Sequence, residues 1–149
     1  MPSTFSSLSY HLVFSTKLRQ PLLTVEIRPR VYEYIGGLIR AEGGSLTQIG
    51  GVEDHVHLLL KLKPTHTVAD FVRVLKANSS KWINDEGRLD GRFAWQEGYS
   101  VFTVSQSQVE TVRQYLQRQE AHHATRSLAD ELQQLCERHD VDFDPRSLE

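Results

Sequence analysis

The sequence predicts an α+β domain of the ferredoxin-like, split βαβ type: an antiparallel sheet with helices on one face, followed by C-terminal helices. Three observations predict it. Apolar residues alternate with period two in four stretches and recur at helical spacing in the stretches between them. The order of those stretches is strand, helix, strand, strand, helix, strand, which is the split βαβ order. Only a residue or two around Asp54 separates the second and third strands, so they should pair as an antiparallel hairpin. The chain has 149 residues, enough for one compact domain with a real core.

The first strand is expected over residues 7–16, where Leu8, Tyr10, Leu12 and Phe14 share one face. A helix should run from Thr24 to about Glu42, with Ile27, Val31, Ile35, Leu38 and Ile39 at helical spacing and Gly43-Gly44 ending it. Residues 45–53 and 55–63 are the second and third strands, the latter stopped by Pro64. Thr67 and Asp70 form the pattern of a capping box for a helix to about Asn84, striped by Val68, Phe71, Val72, Leu75 and Trp82. Residues 94–105 are the fourth strand. Ser107 and Glu110 should cap a helix to about His123, and a last amphipathic helix spans 127–139 with Leu128, Leu132, Leu135 and Cys136 on its apolar side.

Composition narrows the function. No apolar run approaches the roughly 20 residues of a membrane helix. The start lacks a secretory pattern and the single Cys136 cannot form an internal disulfide, so a reducing, cytoplasmic setting is expected. Any metal site must use His, carboxylates or amides. The net charge of −2 argues against nucleic acid as a partner. The charge is uneven, however. Residues 61–92 carry seven Lys/Arg against four acids, whereas residues 126–149 carry three Arg against seven acids. A basic middle is thus masked by an acidic tail, although two ordinary solvated surfaces would give the same count.

The chemistry concentrates in "DHVHLLL". Alternation sends Val56, Leu58, Leu60 and Leu62 to the helix-covered side, and His55, His57, Leu59 and Lys61 to the other. The two histidines stand about 7 Å apart at Cβ. Both rings can reach one metal ion, for which neutral imidazole is the commonest protein ligand. With 7 histidines in the chain, a His-x-His arises readily by chance. A second feature changes the odds: Tyr115, Gln119 and His122 stand at i, i+4 and i+7 on one late helix. That offers a phenol nucleophile one turn from an amide that could be a third ligand. Three protein ligands would leave a position for a phosphate oxygen, and a tyrosine attacking phosphorus would conserve bond energy for rejoining.

In "YHLVFSTK", "DHVHLLL", "FVRVLKANSSKWIN", "FAWQEGYSVFTVS" and "VRQYLQRQ", in this order and spacing, the chain resembles the single-tyrosine HUH transposases. These belong to small prokaryotic insertion sequences that move as single-stranded DNA, and their relatives include transposases associated with repetitive extragenic palindromes. The resemblance covers roughly residues 7–124. It implies a catalytic domain over 1–124 followed by an acidic helical tail over 125–149. It further implies that His55 and His57 bind Mg²⁺ or Mn²⁺, with Gln119 as third ligand and Tyr115 as nucleophile. It implies a homodimer in which the tyrosine helix of one subunit can complete the metal site of the other. The implied substrate is a hairpin-bearing single-stranded DNA end, cleaved to a 5′-phosphotyrosine and a free 3′-hydroxyl. Lys61, Arg73, Lys76 and Lys81 are then candidate phosphate contacts, and Trp82, Trp95 and Tyr99 candidate base-stacking platforms, with Trp82 expected mostly in the core and Trp95 placed evenly between core and surface. Three departures matter: His122 competes with Gln119 as ligand, the acidic tail is additional to the minimal family pattern, and the net charge of −2 is less basic than a DNA enzyme usually has. The alternatives are a domesticated relative that cuts repetitive palindromes and a non-catalytic single-stranded nucleic-acid-binding module.

Overall fold

A computed structural model describes residues 3–148. Four strands, β1 (Leu8–Ser15), β2 (Ser45–Gly51), β3 (His55–Leu62) and β4 (Ser100–Val104), form one sheet in the order β2-β3-β1-β4. Every neighbouring pair is antiparallel. Helices α1 (Arg28–Ala41) and α2 (Val68–Glu86) follow β1 and β3. After β4 come α3 (Val109–Gln117), α4 (Gln119–His123) and α5 (Leu128–Arg138). The split βαβ order is present, with its antiparallel sheet and several helices.

The element ends follow local chemistry. Helix α1 begins at Arg28 rather than Thr24, with Pro29 in its first turn, where a missing N–H costs nothing. Gly43, at φ +86°, turns the chain out of that helix. The expected capping box at Thr67 does not form: its side chain accepts no cap bond, and Asp70 lies beside Arg73 instead. Ser107 likewise caps nothing and shares a hydrogen bond with Ser105. The fourth strand is shorter than expected. Trp95 bridges Thr16 alone, and Gly98 at φ +80° takes the chain off the ladder before β4. Lys76 holds this bend, its Nζ donating to the carbonyls of Gln96 and Gly98 at 2.6 and 2.7 Å.

One face of the sheet carries the main core. Leu12, Phe14, Val56, Leu58, Leu60 and Leu62 pack against Val31, Ile35 and Ile39 of α1 and Phe71, Val72 and Leu75 of α2. Truncating one of these, Leu58→Ala, removes a fully buried side chain from the central strand. The expected cost is about 2–5 kcal/mol, read as a lower urea midpoint at unchanged slope. The aromatic residues divide. Trp95 is a core residue, edge-on to Phe14 and Phe93 and donating Nε1–H to Ser79 at 2.9 Å, so it has no face free for a base. Trp82 is half-buried and stacked on Tyr34.

The opposite face, which the strand pattern leaves open, is covered by the C-terminal helices. Helix α3 crosses β2 and β3, and α5 packs Leu128 and Leu132, with Leu148, against Val13 of β1. The stripe of α5 needs an apolar partner, and Val13 supplies it on an otherwise polar strand face. No helix among the described residues is long and apolar enough to cross a membrane.

Candidate active site

The site is built where α3, α4 and α5 meet the second face of β3. His55 and His57 both project to that side and are fully buried, with ring centroids 5.2 Å apart. Each ring is fixed through Nδ1. Asp54 holds His55 Nδ1 at 2.7 Å, and His11, the neighbour on β1, holds His57 Nδ1 at 2.7 Å. Both Nε2 atoms are thereby aimed at a common point. A carboxylate stands there, Glu131 of α5, itself 2% exposed. Its Oε1 lies 2.8 Å from His57 Nε2, 3.0 Å from His123 Nε2 and 3.6 Å from His55 Nε2.

The tyrosine arrives within the same chain. Its ring centroid is 6.1 Å from that of His57, and its hydroxyl donates to Glu131 Oε2. Gln119 is buried and donates Nε2–H to the same oxygen at 3.1 Å. Its Oε1 is buried without a partner. The expected continuous helix is broken at Arg118, where φ −105° and ψ 21° leave the helical region. The break separates the two histidines of α4. His122 stacks on Tyr115 at 4.5 Å, whereas His123 turns toward His55, with Nε2 atoms 3.0 Å apart. So the histidine that reaches the imidazole pair is His123, not the His122 weighed from the sequence.

Charge in this pocket is set by burial and by Glu131. Burial disfavours the imidazolium of His55, but the hydrogen bonds and charges of Asp54 and Glu131 overcome it and push the group up to about 9. His57 has no second acid and burial keeps it below the ordinary value. Burial, with the neighbouring His57, lowers His11 to about 3, so it is a neutral imidazole. Burial and the adjacent carboxylate both raise Tyr115, so its hydroxyl holds its proton at rest. Burial alone would raise Glu131, yet hydrogen bonds from His123, His55 and His57 keep it a carboxylate. Four donors, His55, His57, His123 and Glu131, lie within 4.8 Å of one another and could hold a metal ion.

A glycine sets the distance between tyrosine and histidines. Gly50 of β2 pairs with His57 in register, and α3 lies directly on it. A Cβ at Gly50 would stand 2.0 Å from the Leu116 carbonyl oxygen, so neither backbone could stay in place. Gly50→Ala should lift α3 and carry Tyr115 and Gln119 away from the imidazoles. We expect a loss of about 1–3 kcal/mol in stability, read by urea unfolding, and a much larger proportional loss of whatever activity depends on that approach.

The basic candidates are spread out. Lys61 shares the imidazole face and reaches Gln106 at 3.1 Å. Arg73, Lys76 and Lys81 ride on α2, which packs on the other face of the sheet. Lys81 is exposed and paired with Asp85, and Lys76 is engaged with the carbonyls of the β4 approach. Sequence reasoning passed over His11, His123 and Glu131. A signal existed for Glu131: it stands on the apolar stripe of its helix, one turn from Leu128 and beside Leu132, where a carboxylate needs a partner.

The fold and the comparisons together define an enzyme of the transposase class. The chain belongs to the IS200-like transposase family, whose family model matches residues 4–119. Among curated relatives, the ISDra2 transposase TnpA of Deinococcus radiodurans is 27% identical over 117 residues, covering 75% of this chain and 84% of that one. The transposase for insertion sequence element IS200 of Salmonella typhimurium is 28% identical over 115 residues, 74% and 75% of the two chains. A crystal structure assigned as a transposase of Deinococcus radiodurans R1 superposes with a TM-score of 0.66 at 29% identity, covering 80% of this chain and 95% of that one. A REP-associated tyrosine transposase bound to a REP hairpin shares the fold, with a TM-score of 0.62 at 10% identity over 83% and 72% of the chains.

Proposed function

We propose that this transposase nicks and rejoins single-stranded DNA at hairpin-bearing ends, with Tyr115 as the nucleophile and a divalent cation, Mg²⁺ or Mn²⁺, at His55, His57 and Gln119. The observation that carries the reading is the convergence of the Tyr115 hydroxyl and the His57 imidazole on one buried carboxylate. Two features fit a cation. Both imidazole Nε2 atoms are left facing inward because each Nδ1 is already engaged. Gln119 Oε1 is a buried acceptor with no donor, which a cation beside it would satisfy. When bound, the cation polarises the phosphoryl group and offsets the charge that develops there.

The chain's own residues do the rest. Tyr115 Oη attacks phosphorus in line with the departing 3′ oxygen. The O–P bond to tyrosine forms as the P–O3′ bond breaks, the phenol loses its proton and the 3′ oxygen gains one. The DNA keeps a 5′-phosphate on Tyr115, and attack by a 3′-hydroxyl reverses the step. His11 and Asp54 fix the orientation of the two imidazole rings. Lys61, on the same face, supports a phosphate contact near the site, and Arg73, Lys76 and Lys81 would serve a longer track around α2. The shared fold with a protein bound to a REP hairpin agrees with a hairpin substrate.

The direct test incubates the full chain with a labelled hairpin oligonucleotide and Mg²⁺ or Mn²⁺ and resolves the products on a denaturing gel. A covalent protein–DNA band supports the reading; tight hairpin binding with neither band nor cleavage overturns it. A homodimer belongs to this proposal, and a single chain already brings Tyr115 to its own imidazoles, which favours catalysis in cis. Mixing inactive His57→Ala and Tyr115→Phe chains should therefore restore no cleavage. Recovery of activity in the mixture would establish shared sites.

A further inference from the structure

Beyond the family match, which ends at residue 119, two further donors stand in the site. We propose that Glu131 and His123 are metal ligands, so that the C-terminal tail closes a four-donor site made with His55 and His57. This rests on the metal reading above and extends it to residues outside the shared catalytic segment.

The geometry points to ligation from three directions. The four donor atoms lie within 4.8 Å of one another. Glu131 Oε1 stands 2.8 Å from His57 Nε2 and 3.0 Å from His123 Nε2, and the His55 and His123 Nε2 atoms are 3.0 Å apart. A tetrahedral ion with bonds of about 2.0–2.1 Å spaces its donors by roughly 3.4 Å, so the close pairs would open and the widest pairs close by modest amounts to admit one. His55 and His57 also carry outer partners at Nδ1, Asp54 and His11, which is how metal-bound imidazoles are oriented. Finally, Glu131 is not a drifting surface acid. Leu128 and Leu132 on either side of it are seated against Val13, so α5 delivers the carboxylate by packing.

Three imidazoles and a carboxylate suit Mn²⁺, Co²⁺ or Zn²⁺ better than Mg²⁺. The same carboxylate receives the Tyr115 hydroxyl on its other oxygen. Tail docking, metal binding and nucleophile placement are therefore linked, and each should stabilise the others. With these four donors in place, neither Gln119 Oε1 nor a phosphate oxygen can join unless coordination expands or Glu131 withdraws.

The test uses the full chain stripped of metal and titrated with Co²⁺. The wild type should give the intense visible band of four-coordinate Co²⁺; a weak six-coordinate spectrum overturns the proposal without recourse to any variant. By calorimetry, Glu131→Gln and His123→Ala should bind Co²⁺ and Mn²⁺ at least about tenfold more weakly, the scale on which even an outer hydrogen bond to a ligand acts. Unchanged or tighter binding in Glu131→Gln overturns the ligand role and makes the carboxylate a mere occupant of the site. His57→Ala separates the two readings. Loss of binding there with none in Glu131→Gln sinks only this inference, whereas wild-type affinity in His57→Ala sinks the metal site itself.

Discussion

Tyr115→Phe should eliminate the covalent protein–DNA band and lower strand cleavage by at least about a thousandfold, while hairpin binding persists. Phenylalanine keeps the ring, its stacking on His122 and its edge-on approach to His57. What it removes is one oxygen, the atom that bonds Glu131 and that the proposed mechanism uses as nucleophile. The folded state loses a hydrogen bond to a buried carboxylate that still keeps Gln119 and the histidines as partners, so the stability cost should be about 1–2 kcal/mol. A gel showing the same adduct in the Phe variant would remove Tyr115 from its role.

The second large effect belongs to His57. It touches three other members of the site at once: His11 through Nδ1, Glu131 through Nε2, and Tyr115 edge-to-face. His57→Ala should abolish metal-dependent cleavage and also abolish the rise in melting temperature expected when Mn²⁺ is added to the wild type. It leaves a cavity and two buried partners short of a hydrogen bond, so we expect roughly 2–4 kcal/mol of destabilisation. Two readouts are needed because a merely unfolded variant would also fail to cleave. Circular dichroism establishes that the variant folds, and the missing metal response then reports on the site. Full cleavage in this variant, or by the wild type in excess chelator, would refute the metal mechanism.

The split βαβ core was legible because period-two and helical patterns are local properties of the chain. Val56, Leu58, Leu60 and Leu62 declared their side of β3 and, by alternation, declared that His55 and His57 face the other way. What lay beyond local pattern was the covering of that other face. Nothing near Val13 marks it as a seat for α5, since the contact joins residues more than a hundred positions apart. The break at Arg118 was equally hidden: 109–123 reads as one amphipathic helix, and only docking against β2 shows that His123 rather than His122 turns inward. The shortened β4 reflects Gly98, whose left-handed backbone ends a pattern that side chains alone would continue.

The turn between β2 and β3 carries a constraint of another kind. It spans only residues 52–54, and β3 resumes at once with His55. Gaining or losing a single residue there would rotate the whole strand by half a period, burying both imidazoles in aliphatic surroundings and presenting Val56 and Leu58 to the tyrosine. Length variation in this protein should therefore be absorbed by the solvent-facing stretch at 87–92, and an insertion library scored for DNA rejoining should show a sharp gap at 52–54 and broad tolerance at 87–92.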